Sequence, residues 1–286
     1  MREVGPDTDV VRDGYVLADP LDTAVRTDLT AALDRLLAKG ERILRTAADE
    51  GTSLETYYRT HGPELICVPE AGSATSVCRI EYLAGADQTF RALVDRHLLP
   101  AVEAATGEPY VLFKDKCNLK YPGGGAFTPH QDFPAYEAFG PAYHVTAMVA
   151  LDRADQENGC LQVATNHRRV AREHGSVVER EVAGRPLFRA VQEGDAADGS
   201  IVPEAVRVFD WHPLEVAAGD IVLFDSFIPH RSFENRSSRA RRALFMTFNR
   251  RSDGDHYEEY YTRKRAAYAD PAFHVATPTN RGHTPT

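Results

Sequence analysis

The sequence of 286 residues predicts a mainly β protein with flanking helices. From about residue 111 onward, short runs rich in Val, Leu, Phe and Tyr are separated by Gly, Pro and Asn, which is typical of a β-sandwich or barrel. Before that point, apolar residues recur at helical spacing. Hydrophobic residues make up 43% of the chain and charged residues 26%, which is the range of globular proteins.

The helical pattern occurs in three places. Periodic apolar residues predict a helix over 22–37, and Lys39-Gly40 predicts its end, with a second helix over 42–50. The same pattern predicts a helix over 90–105 that ends before Gly107. A last helix is expected over 257–268, followed by a Pro-, Thr- and Gly-rich end that we expect to be frayed.

The remaining elements are predicted to be strands and loops. Loops are expected at 152–159 and at the polar stretch 192–200. With no internal repeat and no clear linker, the sequence predicts one domain over 1–286, made of a mostly helical wrap (1–110), a β core (111–250) and a helical tail with a frayed end (251–286). The predicted strands are 111–121, 143–151, 160–164, 205–208, 221–225 and 243–249.

Composition excludes several classes of protein. A formal net charge of −9 argues against a dedicated nucleic-acid binder. No run approaches the roughly 18 apolar residues of a membrane span, and the first residues lack the apolar core of a secretory signal. The four cysteines form no CxxC pair, so we expect buried, reduced thiols. We therefore expect a cytoplasmic monomer or homodimer with a small-molecule substrate and no nucleic-acid or membrane partner.

The most informative segment is a predicted strand, a glycine turn and then His130-Gln131-Asp132. On an extended chain, residues two apart point to the same face, so His130 and Asp132 can reach one metal ion. His230 ends the apolar run 221–230 and supplies a third ligand. Two histidines and one carboxylate with open positions are typical of non-haem Fe(II) oxygenases. Arg241, eleven residues later, offers a fork for a carboxylate such as that of 2-oxoglutarate.

Other residues of the same types fit this pattern less well. His256 and Glu258 have the right spacing but begin a polar, helix-like tail, and neither His274 nor His283 has an arginine some ten residues further on. Arg236, Arg239 and Arg242 compete with Arg241 for the carboxylate. Spacing favours Arg241, and strand alternation turns Arg242 to the opposite face.

Five motifs together resemble the phytanoyl-CoA dioxygenase (PhyH) family of Fe(II)/2-oxoglutarate oxygenases. The resemblance extends from about Gly14 to the Tyr-Tyr-x-x-Lys-Arg segment at 260–265, which is nearly the whole chain. The motifs are Asn118-Leu-Lys-Tyr-Pro-Gly-Gly-Gly, His130-Gln-Asp, Glu157-Asn-Gly-Cys-Leu-Gln-Val, Pro229-His-Arg-Ser and Arg241-Arg-Ala-Leu.

This resemblance implies a double-stranded β-helix core (a jelly roll, as in cupins) that uses Fe(II), 2-oxoglutarate and O₂. His130, Asp132 and His230 match the family's iron ligands. Arg241 and Ser232 match its 2-oxoglutarate contacts, and Gln131 and Asn118 match such contacts more loosely. The related halogenases lack the carboxylate ligand, so Asp132 favours hydroxylation of an unactivated C–H bond.

The substrate is less well specified by the sequence. The segments 130–136, 143–144 and 249–250 are similar to a subgroup that acts on small organophosphonates such as 2-aminoethylphosphonate. A natural-product tailoring oxygenase of the same family, which hydroxylates, desaturates or cyclises an amino acid, a sugar-like compound or another metabolite, remains open. From another class, an inactive cupin-like binding protein is also open. The candidate substrate residues are Lys116, Lys120, Tyr136, His144, Asn249 and Arg250.

Overall fold

The computed structural model describes residues 9–61, 65–70, 73, 75–193, 196–270 and 273. Its α-helices are α1 (Val10–Asp13), α2 (Thr23–Asp49), α3 (Leu54–Thr60), α4 (Leu83–Ala86), α5 (Gln88–Leu93), α6 (Leu99–Thr106), α7 (His167–Glu173), α8 (Pro203–Val206) and α9 (Tyr257–Ala266). A π-helical turn, Val94–Leu98, joins α5 to α6. Among the helices in these ranges, none is both long enough and apolar enough to cross a membrane.

The strands form two antiparallel sheets and a separate hairpin. One sheet has the order β1-β13-β6-β15-β4-β3-β2, the other has the order β10-β11-β5-β14-β7-β12, and β8 pairs with β9. The strands are β1 (Tyr15–Ala18), β2 (Ile66–Pro69), β3 (Val77–Glu81), β4 (Tyr110–Lys120), β5 (Phe127–His130), β6 (His144–Ala150), β7 (Leu161–Ala164), β8 (Val178–Val182), β9 (Arg185–Phe188), β10 (Ala190–Glu193), β11 (Ala196–Ile201), β12 (Trp211–Pro213), β13 (Ile221–Asp225), β14 (His230–Ser232) and β15 (Arg241–Arg250). This architecture confirms the predicted mainly β fold with a jelly-roll core and flanking helices.

The long strands of the larger sheet position the site. β15 pairs with β4 on one side and with β6 on the other. Because side chains alternate along a strand, every second residue of these strands faces the space between the two sheets. The five predicted strands at 111–121, 143–151, 160–164, 221–225 and 243–249 correspond to β4, β6, β7, β13 and β15.

Two predictions in the second half of the chain were wrong. Residues 205–208, predicted as a strand, fall at the end of α8, where Pro203 occupies the first turn and Glu204 complements the helix dipole. The stretch 192–200, predicted as a loop, contains parts of β10 and β11. The pairing of Ser200 with His130 places β11 at the edge of β5 and extends the smaller sheet.

The first third of the chain is less helical than predicted, because β1, β2 and β3 all join the larger sheet. The predicted break at Lys39-Gly40 was also wrong, since α2 continues through it. A Cβ atom at Gly40 would lie 2.8 Å from Sγ of Cys67 on β2, so this glycine allows the helix to approach the sheet closely. The helix predicted over 90–105 is present as α5, the π turn and α6, and it ends at Gly107 with a φ of 76°.

The carboxyl-terminal helix packs against the outside of β4. The hydroxyl groups of Tyr257 and Tyr261 donate to the buried carboxylate of Asp115, at 2.9 and 3.2 Å. This helix was predicted over 257–268 and is observed as α9. The predicted frayed end, with His274 and His283, lies outside the described residues. All four cysteines are unpaired and buried, as predicted from their spacing.

Candidate metal centre and pocket

Three potential metal ligands converge between the two sheets. His130 ends β5, Asp132 follows it, and His230 begins β14 directly opposite His130. Nε2 of His130 and Nε2 of His230 each lie 4.0 Å from a carboxylate oxygen of Asp132. One atom from each residue lies within 4.8 Å of the other two, and all three residues are buried. Among the described residues, this is the cluster of such side chains that could hold a metal ion.

Backbone carbonyls orient both imidazole rings in the same way. Nδ1 of His130 bonds the carbonyl of Thr128 at 2.6 Å, and Nδ1 of His230 bonds the carbonyl of Ile228 at 3.1 Å. In both cases the carbonyl lies two residues earlier in the chain. A carbonyl can only accept, so each Nδ1 carries the proton and each Nε2 keeps its lone pair for a metal.

Electrostatics favours the ligating form of each group. Burial, and then the neighbouring His230, lower the pKa of His130 to about 3, and burial also lowers the pKa of His230. Burial opposes ionisation of Asp132, but His230 and Lys116 outweigh it and hold the pKa of this carboxyl below its usual value. Two neutral imidazoles and one carboxylate form the donor set that suits Fe(II) with open coordination positions.

The triad lies in a pocket with aromatic walls and polar groups. The ring side chains give the walls apolar faces, whereas the polar groups offer contacts to charged molecules. The ring side chains are Phe127, Tyr136, Phe224 and Phe245, and the polar groups besides the triad are Lys116, Asn118, Thr146, Arg231, Ser232, Arg241 and Thr247.

One end of the pocket is built around Arg241. Its guanidinium is buried and donates to the carbonyl of Gly159, while its Nε has no hydrogen-bond partner. Lys120, which pairs with Arg241 across β4 and β15, donates to Oγ of Ser232 at 2.8 Å. Burial and the adjacent Arg241 lower the pKa of Lys120 to about 6. This end has unused donors and positive charge, which fit a carboxylate such as the distal group of 2-oxoglutarate.

The three other arginines considered for the co-substrate carboxylate lie outside the pocket lining. Arg242 faces the opposite side of β15, where its guanidinium donates to Asp152 at 2.8 Å. Arg239 pairs with Asp155 at 2.7 Å and Arg236 pairs with Glu234 at 2.7 Å, and both arginines are exposed.

Gln131, predicted as a co-substrate contact, does not face the pocket. Its amide nitrogen donates to the carbonyls of Pro186 and Phe227, and its oxygen accepts from the backbone N–H of Phe188 at 2.8 Å. The prediction was therefore wrong about its contacts. Because the two metal ligands beside it point into the pocket, strand alternation turns Gln131 towards the β8–β9 hairpin.

Three of the predicted substrate residues are also outside the pocket lining. His144 is fully buried behind Tyr136, with the two ring centroids 4.9 Å apart. The amide of Asn249 donates to the backbone carbonyls of Arg250 and Gly254, and the guanidinium of Arg250 pairs with Glu108 at 3.1 Å. Asn249 and Arg250 are at the opposite end of β15 from Arg241, which accounts for their distance from the site.

Of the remaining candidates, Lys116 and Tyr136 line the pocket, and Lys120 lies at its Arg241 end. Arg79 on β3 and Lys114 on β4 were not predicted. Arg79 donates to Oδ1 of the pocket residue Asn118 at 3.1 Å. A signal was available, because Lys114 has the same strand parity as Lys116, and Arg79 and Glu81 alternate with apolar residues.

One family model and several known proteins are similar to this chain in sequence. The family model described as phytanoyl-CoA dioxygenase (PhyH) matches residues 10–243. A 2-aminoethylphosphonate dioxygenase from an uncultured bacterium is 38% identical over 197 residues, which is 68% of each chain. A methylphosphonate hydroxylase from Gimesia maris is 35% identical over 198 residues, which is 69% of this chain and 68% of the relative.

Solved structures share the fold at lower identity. The crystal structure of EctD from S. alaskensis with 2-oxoglutarate and 5-hydroxyectoine has a TM-score of 0.62 at 18% identity, covering 88% of this chain and 79% of that chain. At this identity the likeness shows the fold alone. Taken together with the family match and the two relatives, it identifies the chain as a member of the phytanoyl-CoA dioxygenase family, an Fe(II)- and 2-oxoglutarate-dependent dioxygenase.

Proposed function

We propose that this enzyme hydroxylates an unactivated C–H bond of a small organophosphonate. The observation that carries this proposal is that basic side chains gather in two separate parts of the pocket, Arg241 with Lys120 at one end and Lys116 with Lys114 at the other. An oxygenase of this family needs one cationic end to bind the distal carboxylate of 2-oxoglutarate. A second cationic group fits a substrate that is itself an anion, and the two relatives at 38% and 35% identity are named for phosphonates.

We assign roles to the residues as follows. His130, Asp132 and His230 hold Fe(II), and Arg241 binds the distal carboxylate of 2-oxoglutarate with Ser232, whose hydroxyl Lys120 orients. The bound iron and co-substrate supply the oxidation, in which O₂ and 2-oxoglutarate give succinate, CO₂ and the hydroxylated product. The chain contributes orientation and a pocket whose walls include four aromatic rings, whose apolar faces limit the hydration of the reacting groups.

We also propose a domain organisation, a cellular compartment and an oligomeric state for the protein. The strands of the first third lie in the same sheet as β4, β6, β13 and β15, which supports one oxygenase domain over 1–286. Four buried, unpaired cysteines fit a reducing compartment, and the net charge of −9 fits a protein with no nucleic-acid partner. We propose a cytoplasmic monomer or homodimer without a membrane partner, and light scattering after size-exclusion chromatography tests the oligomeric state.

Two experiments test the function. Anaerobic addition of Fe(II) and 2-oxoglutarate should produce a weak visible charge-transfer band that His130→Ala removes. Succinate release should then rise with methylphosphonate or 2-aminoethylphosphonate above the rate without substrate, with the hydroxylated product identified by mass spectrometry and ³¹P NMR.

The outcome for other substrates separates the alternatives. Amino acids and sugar-like alcohols belong in the same panel, because natural-product tailoring is the alternative within this family. Turnover of one of these compounds with no turnover of any phosphonate would refute the organophosphonate proposal. The family match and the relatives give no support to an inactive binding protein. Only a missing charge-transfer band with the wild-type protein would favour that alternative.

A further inference from the structure

A group of charged residues lies on the inner face of β3 and β4. Lys114 and Lys116 are two residues apart on β4, so they share a face, and Lys116 lines the pocket. Arg79 on β3 pairs with Asn118, which also lines the pocket. Nζ of Lys114 lies 4.9 Å from the ring centre of Tyr136, a further lining residue. Lys116 is therefore part of the pocket that holds the metal centre, and Lys114 and Arg79 lie directly behind the lining residues Tyr136 and Asn118.

The two lysines of this group have no acceptor. Among the described residues, no oxygen lies within hydrogen-bond or ion-pair distance of Nζ of Lys114 or Nζ of Lys116. Lys114 lies over the rings of Tyr136 and Tyr260, and Lys116 lies over the ring of Phe245. Lys114 is only 7% exposed, and a buried ammonium group without a partner is costly. Burial first, and then Lys114 and Arg79, lower the pKa of Lys116 to about 7. The arrangement is suited to an anion that the protein itself does not provide.

The charges in this group do not balance. Glu81 on β3 is a nearby carboxylate besides the metal ligand Asp132, and its Oε1 lies 2.7 Å from Nζ of Lys264 on α9 and 4.0 Å from Nη1 of Arg79. The side chains of Glu81 and Lys264 are only 1% exposed. Glu81 therefore shares its charge between Lys264 and Arg79, and among the described residues neither Lys114 nor Lys116 has a carboxylate within ion-pair distance.

The group is also distant from the proposed 2-oxoglutarate end. Lys114 and Lys120 are at the two ends of the same inward-facing row of β4, six residues apart, which corresponds to about 20 Å along a strand. Lys120 pairs with Arg241. A five-carbon dicarboxylate bound at Arg241 is far shorter than this distance, so it leaves Lys114 without an anion.

We propose that Lys114, Lys116 and Arg79 bind the phosphonate group of the substrate, with Lys114 as the residue that determines specificity for a doubly charged head group. This inference rests on the proposed function. A phosphonate presents three oxygens around phosphorus and up to two negative charges, whereas a carboxylate presents two oxygens and one charge. The surplus of positive charge therefore favours phosphonates over carboxylates of the same size.

The test compares Lys114→Met with Lys39→Met, a matched control on α2. Inorganic phosphate and methylphosphonate are the probes, and their binding to the anaerobic enzyme loaded with Fe(II) and 2-oxoglutarate is measured by calorimetry. We expect Lys114→Met to weaken both by roughly 10- to 100-fold, as for loss of a charged hydrogen bond, and Lys39→Met to change neither. The KM for 2-oxoglutarate and the charge-transfer band should stay unchanged in both variants.

The outcomes separate this inference from the proposed function. If wild type turns over a phosphonate but Lys114→Met binds methylphosphonate within twofold of wild type, the assignment of Lys114 is refuted and the function stands. If wild type turns over no phosphonate, the proposed function is refuted, whereas a loss of phosphate binding in Lys114→Met still supports an anion site. Lys114→Met should keep the thermal midpoint of wild type or raise it, because it removes an unpartnered buried charge.

A second pair of variants tests why Glu81 does not neutralise the site. Glu81 already pairs with Arg79 at 4.0 Å, so Lys264→Met should leave the whole charge of Glu81 to Arg79 and the lysines, and so weaken phosphate binding. The double variant Glu81→Gln/Lys264→Met removes both charges and should restore phosphate binding to within about threefold of wild type, since a hydrophobic or neutral replacement of both partners of a buried pair is tolerated. A double variant that binds phosphate as weakly as Lys264→Met would contradict this role of the pair.

Discussion

His130 and His230 face each other across β5 and β14, with their ring centroids 4.1 Å apart and each Nδ1 bonded to the carbonyl two residues earlier. The two histidines, which are a hundred residues apart in the chain, thus present their Nε2 atoms in the same way. The geometry depends on the segments that precede each histidine. Gln131 connects these segments, because its amide also bonds the carbonyl of Phe227.

We predict that Gln131 is a positioning residue for the metal centre. Gln131→Ala leaves two buried carbonyls and one N–H without their side-chain partner, so the loop before His230 should lose its fixed position. Iron affinity should fall by about tenfold or more, as for other residues that orient metal ligands, while the KM for 2-oxoglutarate at saturating iron stays near that of wild type. Fe(II) titration against the charge-transfer band measures this. The exposed Gln156, changed to Ala, is the matched control, and equal iron affinity in both variants would contradict the prediction.

Substitutions of the adjacent residues Arg241 and Arg242 are predicted to have very different effects on the KM for 2-oxoglutarate. Arg241→Ala removes a buried guanidinium with free donors in the pocket and should raise the KM for 2-oxoglutarate by roughly 100-fold. Arg242→Ala removes a half-exposed pair with Asp152 and should leave this KM within about twofold, with a stability loss of about 1 kcal/mol at most. Steady-state succinate formation measures both constants. The reverse pattern would mean that β15 presents the other face to the pocket.

Asp225 is predicted to make the stability of the protein depend on pH. Burial raises its pKa from 3.8 to about 6, so the folded state binds more protons than the unfolded state between these values. The free energy of unfolding should therefore fall as pH rises from about 4 to about 6. Asp225→Asn keeps an oxygen for the backbone N–H groups of Phe227 and Ile228 and should remove this part of the slope. Urea unfolding of the metal-free protein at several pH values measures it, with the exposed Asp210→Asn as control. An unchanged slope in Asp225→Asn would contradict the prediction.

Gly40 is predicted to matter for packing and not for ending a helix. On helix propensity alone, Gly40→Ala would stabilise α2 by about 0.5–1 kcal/mol. The new Cβ would lie 2.8 Å from Sγ of Cys67, and overpacking of this kind costs about 1–3 kcal/mol. We therefore expect net destabilisation, measured by thermal or urea unfolding, and recovery in the double variant Gly40→Ala/Cys67→Ala. If the single variant is more stable than wild type, the close approach of α2 to β2 is not limiting.

Local sequence patterns were sufficient to predict the candidate metal ligands and the candidate co-substrate arginine. His130 and Asp132 are two apart on an extended segment, and His230 and Arg241 are at the ends of strongly apolar runs, so periodicity and ligand chemistry alone predicted the combination. The same local signals predicted β4, β6, β7, β13 and β15, which are long or strongly apolar. They failed for short elements such as α8, where a proline at the helix start outweighs the β-branched residues around it.

The sequence by itself predicted the metal-ligand types, an arginine for the co-substrate and a mainly β fold, and its resemblance to the family implied the jelly-roll class. Only the tertiary structure decided which residues share the pocket with them. Arg79 and Glu81 lie beside the lining residues Asn118 and Lys116 because β3 pairs with β4, and Lys264 reaches Glu81 from 183 residues further along the chain. His144, Asn249 and Arg250 are excluded by their depth in the core or their position on β15. The physical reason is that periodicity reports which face a side chain takes, whereas strand order and register, which determine the neighbours of that face, depend on contacts between distant segments.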